Sequence, residues 1–157
     1  SKVIGHGFPQ VLVVPKDFSI GGERVLLAID GSKASDMAME AAFNMALNCT
    51  NLKEVFVLSV ASSEAKMDHA KELTQAACAK GKEFAPSATF HPLAITGKPS
   101  ADVIAKAALD NQVDMILVGG HGKGLSKLLM GHVTEKVIGR AHCAVLVIEK
   151  NKQEAAG

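Results

Sequence analysis

Residues 24–29, Arg-Val-Leu-Leu-Ala-Ile, set five apolar side chains in a row behind one arginine. The same kind of run returns at Val55-Phe-Val-Leu-Ser-Val60, Met115-Ile-Leu-Val-Gly119 and Ala144-Val-Leu-Val-Ile148. A strand with one wet face alternates apolar and polar residues, whereas a strand that is apolar throughout needs cover on both faces, as in a parallel sheet between helices. The stretches between the runs have helical spacing. Ala34 to Cys49 carries Met37, Ala41 and Met45 beside Ala38, Ala42 and Ala46, and Glu64 to Phe84 steps through Met67, Ala70, Leu73, Ala77 and Gly81. A weaker run, Ala88 to Ile95, is interrupted by Pro92, which predicts a strand near a sheet edge. Ser100 is expected to cap a helix through Ala108, and Val133 to Arg140 gives a fourth helix. The alternation predicts an α/β fold: a five-stranded, mainly parallel, doubly wound sheet with helices on both faces. In such sheets ligands lie beyond the carboxyl ends of the strands, where the winding reverses, so the residues just after Ile29, Val60 and Val118 are the candidates.

Composition narrows the function. The 157 residues suit one domain, and 48% apolar against 21% charged residues implies a packed core. Aromatic residues are 4%, with no Trp or Tyr, which argues against readers of single-stranded nucleic acid that stack bases on aromatic platforms. The net charge of +1 offers no field to recruit a polyanion or an acidic membrane. Cys49, Cys78 and Cys143 are odd in number, widely spaced and without a C-x-x-C pattern, so neither a disulfide framework nor a zinc ribbon is expected, and a reducing cytoplasm is the expected home. No apolar run reaches the ~18 residues that span a bilayer.

The chain contains a partial internal repeat. Residues 1–16 align without gaps on residues 135–150 at an offset of 134, with eight of sixteen positions identical. The expected organisation is therefore the terminal half-helix and strand of a preceding copy (1–16), a linker (17–23), the domain (24–150) and a disordered tail (151–157). A start at Ser1 is read as a processed or truncated one, leaving the second half of a tandem protein. Convergent apolar patterning is the competing explanation of the repeat. Val11 to Val14 would expose an apolar edge if left alone, and is expected to pair with the strand at Val145 to Ile148.

The densest functional signal is residues 118–134, Val-Gly-Gly-His-Gly-Lys-Gly-Leu-Ser-Lys-Leu-Leu-Met-Gly-His-Val-Thr, a strand running through a Gly-rich loop into a helix N-terminus. Bare backbone N–H groups and a helix end suit an anion such as phosphate; ordinary turn geometry explains glycines equally well. Leu125 follows Gly124, so this is neither a Walker A loop nor G-x-G-x-x-G. His121 and His132 lack an evident third metal ligand, so no metal site is expected. No carboxylate pair or Ser/His/Asp arrangement stands out, so catalysis, if any, is expected to be slow.

Taken together, Val25-Leu-Leu-Ala-Ile-Asp-Gly-Ser32, Thr96-Gly-Lys-Pro99, Leu117-Val-Gly-Gly-His-Gly-Lys123 and Gly131-His-Val-Thr-Glu-Lys-Val-Ile138 resemble a universal stress protein domain over residues 24–150. The resemblance implies the adenine nucleotide alpha hydrolase-like variant of the Rossmann-like sandwich. It implies ATP or another adenine nucleotide, with or without Mg2+, as a regulatory ligand in a stress response. Ala28, Ile29 and Asp30 would line the adenosine end, with Val60 offering backbone to the adenine. Val118, Gly119, Gly122, Gly131, His132, Val133 and Thr134 would surround the ribose and phosphates. Asp30 has a second possible role in organising the Gly31-Ser32 turn, and Lys123 would either reach a terminal phosphate or remain solvated. The chain departs from the family's G-2x-G-9x-G-(Ser/Thr) pattern twice. Eight residues separate Gly122 from Gly131, and His132 stands in the hydroxyl position. These departures keep open a nucleotide-free dimerisation or interaction module of the same fold. An adenylate-forming enzyme would need a Ser-Gly-Gly-x-Asp-Ser loop after the first strand, which is absent. The resemblance also implies a homodimer, or a tandem pseudo-dimer, through the last strand and Val11 to Val14.

Overall fold

The computed structural model describes residues 10–18, 21–120 and 132–149, the side chain of His132 excepted. In chain order the elements are β1 (Gln10–Val13), β2 (Arg24–Ala28), α1 (Lys33–Asn48), β3 (Glu54–Ala61), α2 (Met67–Phe84), β4 (Thr89–Thr96), α3 (Ser100–Asp110), β5 (Met115–Gly119), α4 (His132–Arg140) and β6 (Ala144–Ile148). A single 3-10 turn, Glu64–Lys66, leads into α2.

The strands form one sheet in the order β1-β6-β5-β2-β3-β4. All pairings are parallel except β1 with β6. The five strands expected of the domain are therefore six in the sheet, because Gln10–Val13 joins it within the same chain. That strand covers the backbone edge of β6, which would otherwise stand open. β4, with Pro92, is the opposite edge, where a missing N–H removes no bond from a ladder between two neighbours.

Alternate residues of the central strands feed two cores. Val25, Leu27, Val55, Val57, Leu117 and Leu146 pack with Ala38, Ala42 and Ala46 of α1 and Ala77 of α2. Leu26, Leu58, Ile116, Val145 and Val147 pack with Ile104 and Ala108 of α3 and Val137 of α4. The alanine stripes let helices approach the sheet closely. Gly81 of α2 takes this furthest, since a Cβ there would lie 2.5 Å from the ring of Phe90 on β4. Ser100 does not cap α3: it is the first helical residue, and Pro99 holds the cap position without a side-chain acceptor. The Pro99 carbonyl instead accepts from Asp102 N at 3.0 Å and Val103 N at 3.3 Å. Cys78 and Cys143 are buried, and burial pushes both thiols up to about 11, so they behave as small apolar residues. Among the described residues no helix is long and apolar enough to cross a membrane.

Candidate functional site

The chain winds from β2 outward through β3 to β4, then returns to the other side of β2 as β5 and β6. The reversal lies between the carboxyl ends of β2 and β5, and there the described residues bound a cavity of about 610 Å3. This is within the ~300–1,000 Å3 usual for small-molecule sites.

Its β2 wall is a turn held by its own polar groups. Ile29 N donates to Leu58 O at 2.9 Å, tying the end of β2 to β3. Ser32 N donates to Asp30 Oδ1 at 2.9 Å, and Asp30 N donates to Ser35 Oγ at 3.2 Å. Ser32 caps α1, its Oγ accepting from Ser35 N at 3.2 Å. Gly31 takes the turn at φ +85°, a conformation side chains resist. Burial raises the pKa of the Asp30 carboxyl, but hydrogen bonds from Ser32 and Ser35 outweigh it, so the pKa is lowered. Asp30 is thus an acceptor-only anion at the cavity wall. It does organise the turn, as one of its two expected roles requires.

The β5 wall is shaped by close approach. A Cβ on Gly119 would sit 2.1 Å from the Ala34 carbonyl oxygen, so α1 seats against the end of β5 only because residue 119 has no side chain. Gly120 N donates to Ile148 O at 2.7 Å, carrying the β5–β6 pairing one residue further. Thr134, buried in the first turn of α4, directs its hydroxyl to Gly119 O at 3.4 Å. Val133 beside it is exposed and lines the cavity, so the positive end of the α4 dipole adjoins that space.

Of the residues expected from sequence, Ala28, Ile29, Asp30, Val60, Val118, Gly119, Val133 and Thr134 all line this cavity. Gly122, Lys123, Gly131, His121 and the side chain of His132 lie outside the described residues, as do residues 1–9 and 150–157. Gly120, within the Gly-rich stretch, lines it too, and so do Ser32, Lys33, Ser35, Ser100 and Ile104, which were not expected. Ser100 had a signal: it follows the Thr96–Pro99 turn, and the rule that ligands sit beyond strand ends applies to β4 as well as to its neighbours. Among the described residues no group of three or more His, Cys, Asp or Glu could hold a metal ion.

The chain is similar to known proteins in both sequence and fold. The sequence profile described as "Universal stress protein family" matches residues 22–149. Universal stress protein MJ0531 of Methanocaldococcus jannaschii is 31% identical over 145 residues, covering 84% of this chain and 85% of that protein. A crystal structure of a universal stress protein family member from Arabidopsis thaliana, with AMP bound, superimposes with a TM-score of 0.62 at 23% identity, covering 84% of this chain and 94% of that one. A universal stress protein structure from Archaeoglobus fulgidus gives a TM-score of 0.68 at 21% identity, covering 96% of this chain and 53% of that one.

Proposed function

Because this chain belongs to the universal stress protein family, we propose that its cavity binds ATP or a related adenine nucleotide as a regulatory ligand in a stress response, in a cytoplasmic setting. The observation that carries the reading is the polarity of the cavity. An anionic acceptor, Asp30, stands on one wall, and a helix N-terminus, at Val133 and Thr134, stands on another. A nucleotide has the matching polarity, with hydroxyl donors on its ribose and anionic phosphates at the far end. The Arabidopsis relative with AMP bound supports the same ligand class.

In this reading Asp30 accepts from ribose hydroxyls, Ala28 and Ile29 flank the adenosine, and the backbone of Val60 faces the adenine. Val118, Gly119, Val133 and Thr134 surround the ribose and the first phosphate. Gly122, Lys123, Gly131 and His132 complete the phosphate end. Asp30 is the only carboxylate among the described lining residues, so the site is read as one for binding. The nucleotide favours whichever conformation of the chain binds it more tightly, and that shift is the signal.

The test is calorimetric titration of ligand-free protein with adenosine, AMP, ADP and ATP, repeated with Val133→Glu. A carboxylate in the first turn suits the α4 dipole, so the variant folds, but it repels phosphate. Affinity for AMP and ATP is expected to fall at least about tenfold, with adenosine nearly unchanged. Equal losses for all four would remove the phosphates from α4. Absence of binding by folded wild-type protein would favour the interaction module that the short glycine spacing and His132 keep open.

A further inference from the structure

One wall of the cavity carries a cation in an unfavourable place. Lys33 opens α1, directly after the Ser32 cap, and borders the cavity. The N-terminus of a helix is the positive end of its dipole, so a carboxylate is stabilised there and an ammonium is opposed. Asp36 is the acidic residue of the same turn, yet among the described residues Lys33 forms no ion pair with it or with any other carboxylate. Residues 121–131 contain no Asp or Glu, so the Gly-rich stretch supplies no carboxylate for it either. Helix stability therefore does not account for a lysine at this position.

The packing of α1 places this cation. Ala34, the next residue, has its carbonyl against Gly119 at the end of β5, where a Cβ would lie 2.1 Å from the oxygen. The start of α1 thus stands on the side of Gly119, Gly120 and the first turn of α4, away from the β3 and α3 side with Leu58, Val60 and Ile104. Depth separates these groups further. Ile104 and Thr134 are buried, whereas Lys33 is exposed, so it stands at the mouth of the cavity. Lys33 is also the one cation among the described lining residues, as Asp30 is the one carboxylate, and the two are not paired with each other.

We propose that Lys33 selects for the number of phosphates: its ammonium pairs with those beyond the first, so the site favours nucleoside di- and triphosphates over monophosphates. This rests on the nucleotide reading of the cavity. A nucleotide whose base lies towards Val60 and whose first phosphate lies at Gly119 and Thr134 sends its further phosphates outward, past the start of α1. A lysine is a compact charge on a flexible stem, suited to an anion whose position shifts with the length of the phosphate chain. A residue that opposes its own helix while bordering a cavity is the kind of local conflict found at functional sites.

The test is calorimetric titration of wild type, Lys33→Gln and Lys33→Arg with adenosine, AMP, ADP and ATP, alongside urea unfolding of each protein. Wild type should bind ADP and ATP more tightly than AMP. Lys33→Gln should weaken ADP and ATP about tenfold and leave AMP and adenosine within about twofold, so that the preference collapses. Lys33→Arg should restore most of it. The urea midpoint of Lys33→Gln should equal or slightly exceed that of wild type, because a cation leaves the positive end of α1. This pattern differs from that of Val133→Glu, which acts on AMP as well. Equal losses for all four ligands, unchanged ADP and ATP affinity, or a lowered midpoint accompanying the loss overturns the role of Lys33 and leaves the nucleotide reading standing. Absence of binding by folded wild-type protein overturns both.

Discussion

At the amino ends of the strands, polar groups are spent on one another. Asp114 Oδ2 accepts from Glu23 N at 2.9 Å and Arg24 N at 3.2 Å. Arg24 Nε donates to Glu54 Oε2 at 3.0 Å, and Glu54 Oε1 meets His91 Nε2 at 3.0 Å, the imidazole stacking on Phe56. At the carboxyl ends the same strands leave Asp30, Ser100 and the first turn of α4 bordering a cavity. The first arrangement closes the fold and the second leaves capacity for a ligand. Substitutions at the amino end should therefore change stability alone, and those at the carboxyl end should change binding.

Gly119→Ala should have the largest effect, and it blurs this division because it acts on stability and binding together. Its Cβ would enter the Ala34 carbonyl, forcing α1 away from β5 at a cost of roughly 1–3 kcal/mol or more. Urea unfolding should show the loss, and nucleotide titration should show binding abolished. If stability is unchanged, α1 is not seated as tightly as the structure indicates.

Asp114→Ala should come next and sharpen the comparison. Two backbone N–H groups lose their acceptor, for a loss of about 1–2 kcal/mol in denaturant midpoint, while nucleotide affinity stays within about twofold of wild type. A large change in affinity would mean that the two ends of the sheet are coupled.

The smallest effect concerns acid. The Glu54 pKa is lowered, chiefly by the hydrogen bond from Arg24, and Asp30 is lowered by its turn. A carboxyl with a lowered folded pKa stabilises above its unfolded value, about 4, and loses that contribution as pH falls through the folded one. Stability should therefore decline below about pH 4, and Glu54→Gln should make that decline shallower. At neutral pH the substitution should cost at most about 1 kcal/mol, since the half-buried pair keeps enough contact with water to be screened. Denaturant midpoints across pH 3–6 would check both statements.

Much of this could be read from the chain. The strands at 24, 55, 115 and 144 were legible because continuous apolar runs leave few alternatives, and Pro92 marked an edge. The repeat told where Val11 to Val14 would pair. Ser35 and Lys33 were not legible, because single polar residues in a first helical turn look alike whether or not a cavity lies beside them. Ser100 was misread as a cap, since Pro99 fixed the helix start one residue earlier.

By itself, then, the sequence determined the alternation of elements, the two apolar faces and the family, all of which follow from periodicities and motifs carried by neighbouring residues. Only the tertiary structure decided that residues 28–30, 118–120 and 133–134 share one cavity, and that Gly119 is required by the Ala34 carbonyl as well as suited to a phosphate loop. Those contacts join segments far apart in the chain, so they exist only once the whole sheet has set its strand order and seated its helices.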